Sequence, residues 1–95
     1  MSNATLTLAQ ILIARRSLTP EDDGCQSVLA NRLANAGFHP EHLRYGEVNN
    51  LWIRRGSTAP LVCFAGHTDV VPTGPISQWD SDPFTPVVRD EKLYG

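Results

Sequence analysis

Apolar residues recur every three or four positions along the first third of the chain; further on they alternate or run together. Leu8, Ile11 and Leu12 share one helical face, and Thr5 or Thr7 is placed to cap it, which predicts a short helix over residues 6–15. Ser17-Leu18-Thr19-Pro20 ends that helix, because proline disfavours helical geometry in the residue before it. A second helix is expected to start with Thr19 as cap and Pro20 at its first position. Glu21, Asp22 and Asp23 then load the first turn with negative charge, which complements the positive end of the helix dipole. Cys25, Val28, Leu29, Leu33 and Ala36 form its apolar stripe. Gly37 fits the left-handed position after its last turn, and Phe38 can fold back on that turn.

After residue 42 the period changes. Leu43 to Tyr45 reads as a short strand, Gly46 to Asn50 as turn residues, and Leu51 to Arg55 as a strand with Leu51 and Ile53 on one side and Trp52 and Arg54 on the other. Gly56 to Pro60 is a turn. Leu61-Val62-Cys63-Phe64-Ala65 is apolar at every position, which predicts a strand covered on both faces. Residues 66–86 form a long loop holding Pro72, Pro75, Pro83 and Pro86, and Val87-Val88 with Lys92 to Tyr94 make a hairpin around Asp90-Glu91. Helices first and a buried strand later predict an α/β layer structure, with helices packed on a mixed sheet.

Composition limits what this pattern can become. Ninety-five residues make at most one small domain, which would bury only about 60–65% of the surface its unfolded form exposes. A hydrophobic share of 41% with 19% charged residues belongs to an ordinary globular chain. Net charge is −2, and Arg15-Arg16 and Arg54-Arg55 are isolated pairs, so the basic footprint that nucleic-acid phosphates require is missing. The longest fully apolar stretch, Leu61 to Ala65, is far too short to span a bilayer, and no basic segment followed by an apolar run marks a secretory signal. The expectations are therefore a cytoplasmic location with neither membrane nor nucleic acid as partner. Cys25 and Cys63, the only cysteines, are both expected to be buried free thiols.

The chemistry concentrates in Gly66-His67-Thr68-Asp69-Val70-Val71-Pro72, at the carboxyl end of the expected buried strand, where α/β sheets open into ligand crevices. His67 and Asp69 stand two residues apart, so extended backbone projects both from one face. Neutral imidazole is a good zinc ligand, and a carboxylate beside it can accept a hydrogen bond from the other ring nitrogen, fixing tautomer and orientation. Two residues do not make a motif on their own: a polar loop with an exposed histidine reads the same way. A closed zinc site also needs four ligands, and no second cluster with ligand spacing stands nearby.

A longer pattern changes that weighting. Gly66-His67-Thr68-Asp69-Val70-Val71-Pro72-Thr73-Gly74, followed by Trp79, Pro83-Phe84, Arg89-Asp90 and Leu93-Tyr94-Gly95, closely resembles the first metal motif of the M20-type metallohydrolases. Ser17 to Gln26 and Asn50-Leu51-Trp52 resemble the desuccinylase branch of that family more than the family at large. The likeness covers residues 6–95. It implies that His67 is a metal ligand of a two-zinc site (with cobalt as a possible substitute), that Asp69 orients and tunes His67, and that a metal-bound water attacks an amide carbonyl with a glutamate as general base. The implied substrate is a small N-succinyl amino acid, and the implied assembly of the complete enzyme is a homodimer.

The resemblance further implies that the bridging aspartate, the pair of glutamates, another acidic ligand and a distal histidine lie beyond Gly95. The 95 residues would then be an incomplete amino-terminal portion of a catalytic domain, inactive alone. Two rivals stand beside this reading: a related deacetylase, aminoacylase or dipeptidase, and a non-catalytic truncated remnant or interaction module.

The chain departs from the family at two positions. Arg16 replaces the usual proline after helix one. Glu91 replaces a glycine and would meet steric strain at positive φ, so a turn wider than two residues is expected. His39 and His42 fall in a polar connection and read as solvated surface. Trp79 reads as a loop anchor, and Asp80 and Asp82 as loop caps.

Overall fold

The computed structural model describes residues 3–95. Two helices, α1 (Ala4–Ile13) and α2 (Cys25–Ala34), precede two antiparallel hairpins. The first pairs β1 (His39–Tyr45) with β2 (Val48–Arg54), and the second pairs β3 (Val87–Arg89) with β4 (Lys92–Tyr94); a single 3-10 turn, Ile76–Gln78, lies between them. Helix and strand thus coexist as expected, but no single mixed sheet forms among the described residues. The one parallel element is an isolated bridge between Leu18 and Val70.

Both helices start elsewhere than the sequence suggested. Asn3 caps α1 by accepting the Leu6 N–H through its side chain at 3.0 Å, while the Thr7 hydroxyl bonds back to the Asn3 carbonyl. Helix α2 begins at Cys25, five residues after Pro20. Asp23 (φ 51°) and Gly24 (φ 82°) are both left-handed, a geometry that cannot belong to a right-handed helix, and Asp22 caps α2 instead by accepting the Gln26 N–H at 2.8 Å. A side chain at Gly24 would carry the left-handed strain and also meet the Arg15 guanidinium, which donates to the Asp23 carbonyl.

The far end of α2 follows the expected pattern. Gly37 takes φ 88°, its N–H bonds the Ala34 carbonyl and the Phe38 N–H bonds the Leu33 carbonyl, the paired bonds of a Schellman cap. Beneath this helix the first hairpin is longer than predicted. His39 and His42 are exposed residues of β1, not of a loop, and Pro40 is accommodated because each strand of a two-stranded ribbon has an open edge. Leu51 and Ile53 are half-buried on the side of α2 while Trp52 faces outward, and Gln26 Nε2 donates to the Asn49 carbonyl at 2.7 Å to pin helix to ribbon.

The buried strand over residues 61–65 does not form. These residues make no ladder, Val62 and Phe64 are 76% and 96% exposed, and Cys63 is an exposed thiol instead of a buried one. Apolar sequence alone does not make a strand; the backbone also needs a neighbour, and no described strand pairs an open edge with residues 61–65. Cys25, by contrast, is buried and free as expected. The second hairpin keeps a two-residue turn, with Asp90 at φ 49° and Glu91 at φ 62°, so the expected widening is absent and Glu91 carries the strain. Trp79 does anchor its loop, donating from Nε1 to the Thr73 carbonyl at 3.0 Å. Asp82 accepts the Phe84 N–H at 2.8 Å.

Candidate metal-ligand site

Since residues 61–65 are irregular, the His67 motif does not sit on the end of a strand. What places it is the Leu18–Val70 bridge: Thr19 N–H donates to the Val70 carbonyl at 2.9 Å, and Val70 N–H donates to the Ser17 carbonyl at 2.8 Å. A side-chain bond reinforces the backbone pair, from the Thr68 hydroxyl to Asp22 Oδ1 at 2.6 Å. The turn between α1 and α2 therefore carries the motif, on the rim of an open cleft that also reaches Gln26, Leu33 and Leu51.

Within the motif the two side chains lie together. His67 Nδ1 is 2.7 Å from the Asp69 carbonyl oxygen and 3.2 Å from Asp69 Oδ1. Neither a carbonyl nor an ionised carboxylate can donate, so the proton must be on Nδ1. In the neutral imidazole that leaves the Nε2 lone pair free, the form a metal ligand requires, on a side chain that is 82% exposed. Asp69 is held below the ordinary carboxylate range chiefly by the hydrogen bond from Thr19, whose Oγ1 lies 2.6 Å from Oδ2; His67 adds to the same effect on the other oxygen, and partial desolvation opposes both. At neutral pH it is an acceptor only.

The donor set fits one ligand of a metal centre and no more. Among the described residues, no three His, Cys, Asp or Glu side chains converge on a common point. His39 and His42 project from β1 as exposed side chains, and neither belongs to this constellation.

Thr19 and Asp22 are the residues that sequence reasoning placed elsewhere, as a helix cap and as dipole charge. A consecutive left-handed pair starting at Asp23 is what shifts the helix and frees both for the motif. The Gly24 that closes the run Pro20-Glu21-Asp22-Asp23-Gly24 was the available signal, since glycine belongs more readily to a turn than to a first helical turn.

The chain is similar along its whole length to curated succinyl-diaminopimelate desuccinylases. It is 74% identical over 95 residues to that of Nitrosomonas europaea and 64% identical over 95 residues to that of Nitrosospira multiformis. With that of Acinetobacter baumannii it shares 57% identity over 91 residues, 96% of this chain. It spans about a quarter of the length of these relatives, 24–25% of each. No family model matches it.

Proposed function

We propose that this chain is the amino-terminal part of a metal-dependent amidohydrolase that converts N-succinyl-L,L-diaminopimelate to succinate and L,L-diaminopimelate, a step in making lysine and cell-wall precursors. The observation that carries the reading is the His67–Asp69 pair, with its proton fixed on Nδ1 and its Nε2 open, in a chain 74% identical to a desuccinylase.

Zinc is the metal that best fits a neutral imidazole supported by a carboxylate. When bound it supplies the polarisation of the amide carbonyl and the acidification of water. His67 would hold one ion through Nε2. Asp69 keeps the imidazole in the required tautomer and, as an anion, strengthens its electron donation. Thr68 and its bond to Asp22 hold the loop between these two residues against the turn before α2. Since this chain contributes a single imidazole, the remaining ligands and the general base belong to sequence outside it, and the 95 residues alone are expected to bind zinc weakly and turn nothing over.

The test uses the full-length protein loaded with zinc, assayed for succinate release from N-succinyl-L,L-diaminopimelate. Turnover that His67→Ala reduces by at least a hundredfold is expected. Turnover of N-acetyl amino acids or dipeptides with no activity on the succinyl compound would assign the chain to another amidohydrolase. Full activity of His67→Ala would remove the ligand role.

A further inference from the structure

The hydroxyl of Thr19 caps no helix, because α2 starts six residues later. Its Oγ1 lies 2.6 Å from Asp69 Oδ2 and 3.1 Å from the Val70 carbonyl oxygen. One hydroxyl proton serves one acceptor at a time, and the shorter, charge-assisted contact to the carboxylate takes it. His67 Nδ1 shares its proton between the Asp69 carbonyl oxygen at 2.7 Å and the other carboxylate oxygen at 3.2 Å, so the carboxylate is held firmly by Thr19 on one oxygen and more weakly by the imidazole on the other.

A carboxylate held on one oxygen alone can rotate about its terminal torsion, which is broad. Thr19 removes that freedom, and Thr19 is itself fixed, since its N–H and the Val70 N–H close the backbone bridge independently of any side chain. The direction of His67 is thereby referred, through Asp69 and Thr19, to the rigid turn that leads into α2.

We propose that Thr19 is a positioning residue of the metal site: its hydroxyl locks the Asp69 carboxylate, which together with the Asp69 carbonyl keeps His67 protonated on Nδ1 with Nε2 outward. This rests on the reading of His67 as a metal ligand, and it extends the site to a residue 48 positions away in the sequence. Thr19→Val isolates the hydroxyl, because valine matches threonine in shape and leaves the backbone bridge in place.

The full-length protein is compared as wild type, Thr19→Val and Thr19→Ser, with circular dichroism as the check on folding. The first readout is the long-range 1H–15N spectrum of the His67 ring in metal-free protein, at a pH where the imidazole is neutral. The second is zinc affinity by competition with a chelator, and the third is the split between kcat and KM. Thr19→Val is expected to shift His67 from a pure Nδ1–H form toward a tautomer mixture. It should weaken zinc roughly tenfold, as loss of an outer partner of a metal ligand does, and lower kcat more than KM. Thr19→Ser is expected to restore all three.

Wild-type tautomer and zinc affinity in a folded Thr19→Val protein would overturn the proposal, as would a Thr19→Ser variant as impaired as valine. The tautomer readout needs no substrate. A protein inert toward the succinyl compound whose His67 still responds to Thr19→Val would therefore sink the assigned reaction and leave the positioning role standing.

Discussion

Cys25 and Cys63 are the same side chain in opposite surroundings. Burial raises the Cys25 thiol above its usual value, with the nearby Asp22 carboxylate adding to the effect and the Ser17 hydrogen bond opposing it, so Cys25 stays protonated and unreactive through neutral pH. Cys63 is open to solvent. A disulfide reagent added to native protein is expected to modify Cys63 within minutes and Cys25 only on unfolding, as mass spectrometry of the labelled peptides will show; equal labelling of both would contradict the burial pattern. At this scale the candidate site was half legible. His67 and Asp69 announce themselves by type and spacing, because imidazole and carboxylate two residues apart share one face of an extended segment. Thr19 and Asp22 did not, since a hydroxyl and a carboxylate ahead of an apolar stripe read equally well as a helix start. Only the left-handed backbone at Asp23 and Gly24 separates the two uses, and backbone handedness at an aspartate is poorly encoded in sequence.

Elements governed by local physics were readable, and those governed by partners were not. The Schellman cap at Gly37 needs only a glycine after the last turn, and the second hairpin only turn residues between short apolar runs. His39-Pro40-Glu41-His42 carries no apolar pattern, so the first hairpin was legible only from Leu43 on. The run Leu61 to Ala65 needed a neighbouring strand, which sequence cannot promise. Within the second hairpin, two consecutive non-glycine residues at positive φ keep a tight turn at a cost of about 1–2 kcal/mol each. Glu91→Gly is expected to relieve that strain and, after the extra unfolded-state freedom of glycine is subtracted, to raise stability by about 0.5–1 kcal/mol. A higher Tm in thermal denaturation checks it; an unchanged or lower Tm would mean that the turn is not strained. Arg89, whose guanidinium stacks 4.4 Å from the Tyr94 ring across the same hairpin, should keep the register fixed in the variant.

As a whole molecule the chain is loosely closed. Its accessible surface is 7459 Å², against roughly 5,400 Å² for a compact monomer of this mass, and its radius of gyration is 15.6 Å, against about 12 Å. The excess of about 2,000 Å² is more than the roughly 800 Å² that one partner contributes to a stable protein interface, and Leu61, Val62, Phe64 and Val71 are among the apolar side chains it exposes. The isolated 95-residue chain is therefore expected to self-associate at micromolar concentration and to bind a hydrophobic dye, with Phe64→Lys reducing both. Sedimentation showing a clean monomer that leaves the dye dark would argue against an uncovered face. The same openness sets an order of events in folding. Neighbours in each hairpin meet across a two-residue turn, whereas the Thr19–Val70 contact joins residues 51 apart, a closure costing about 3.5 kcal/mol in chain entropy before any bond repays it. Local ribbons and helices can thus be complete while the His67 imidazole still points at random, and on the proposed reading the capacity to hold an ion would be the last property this polypeptide acquires as it matures.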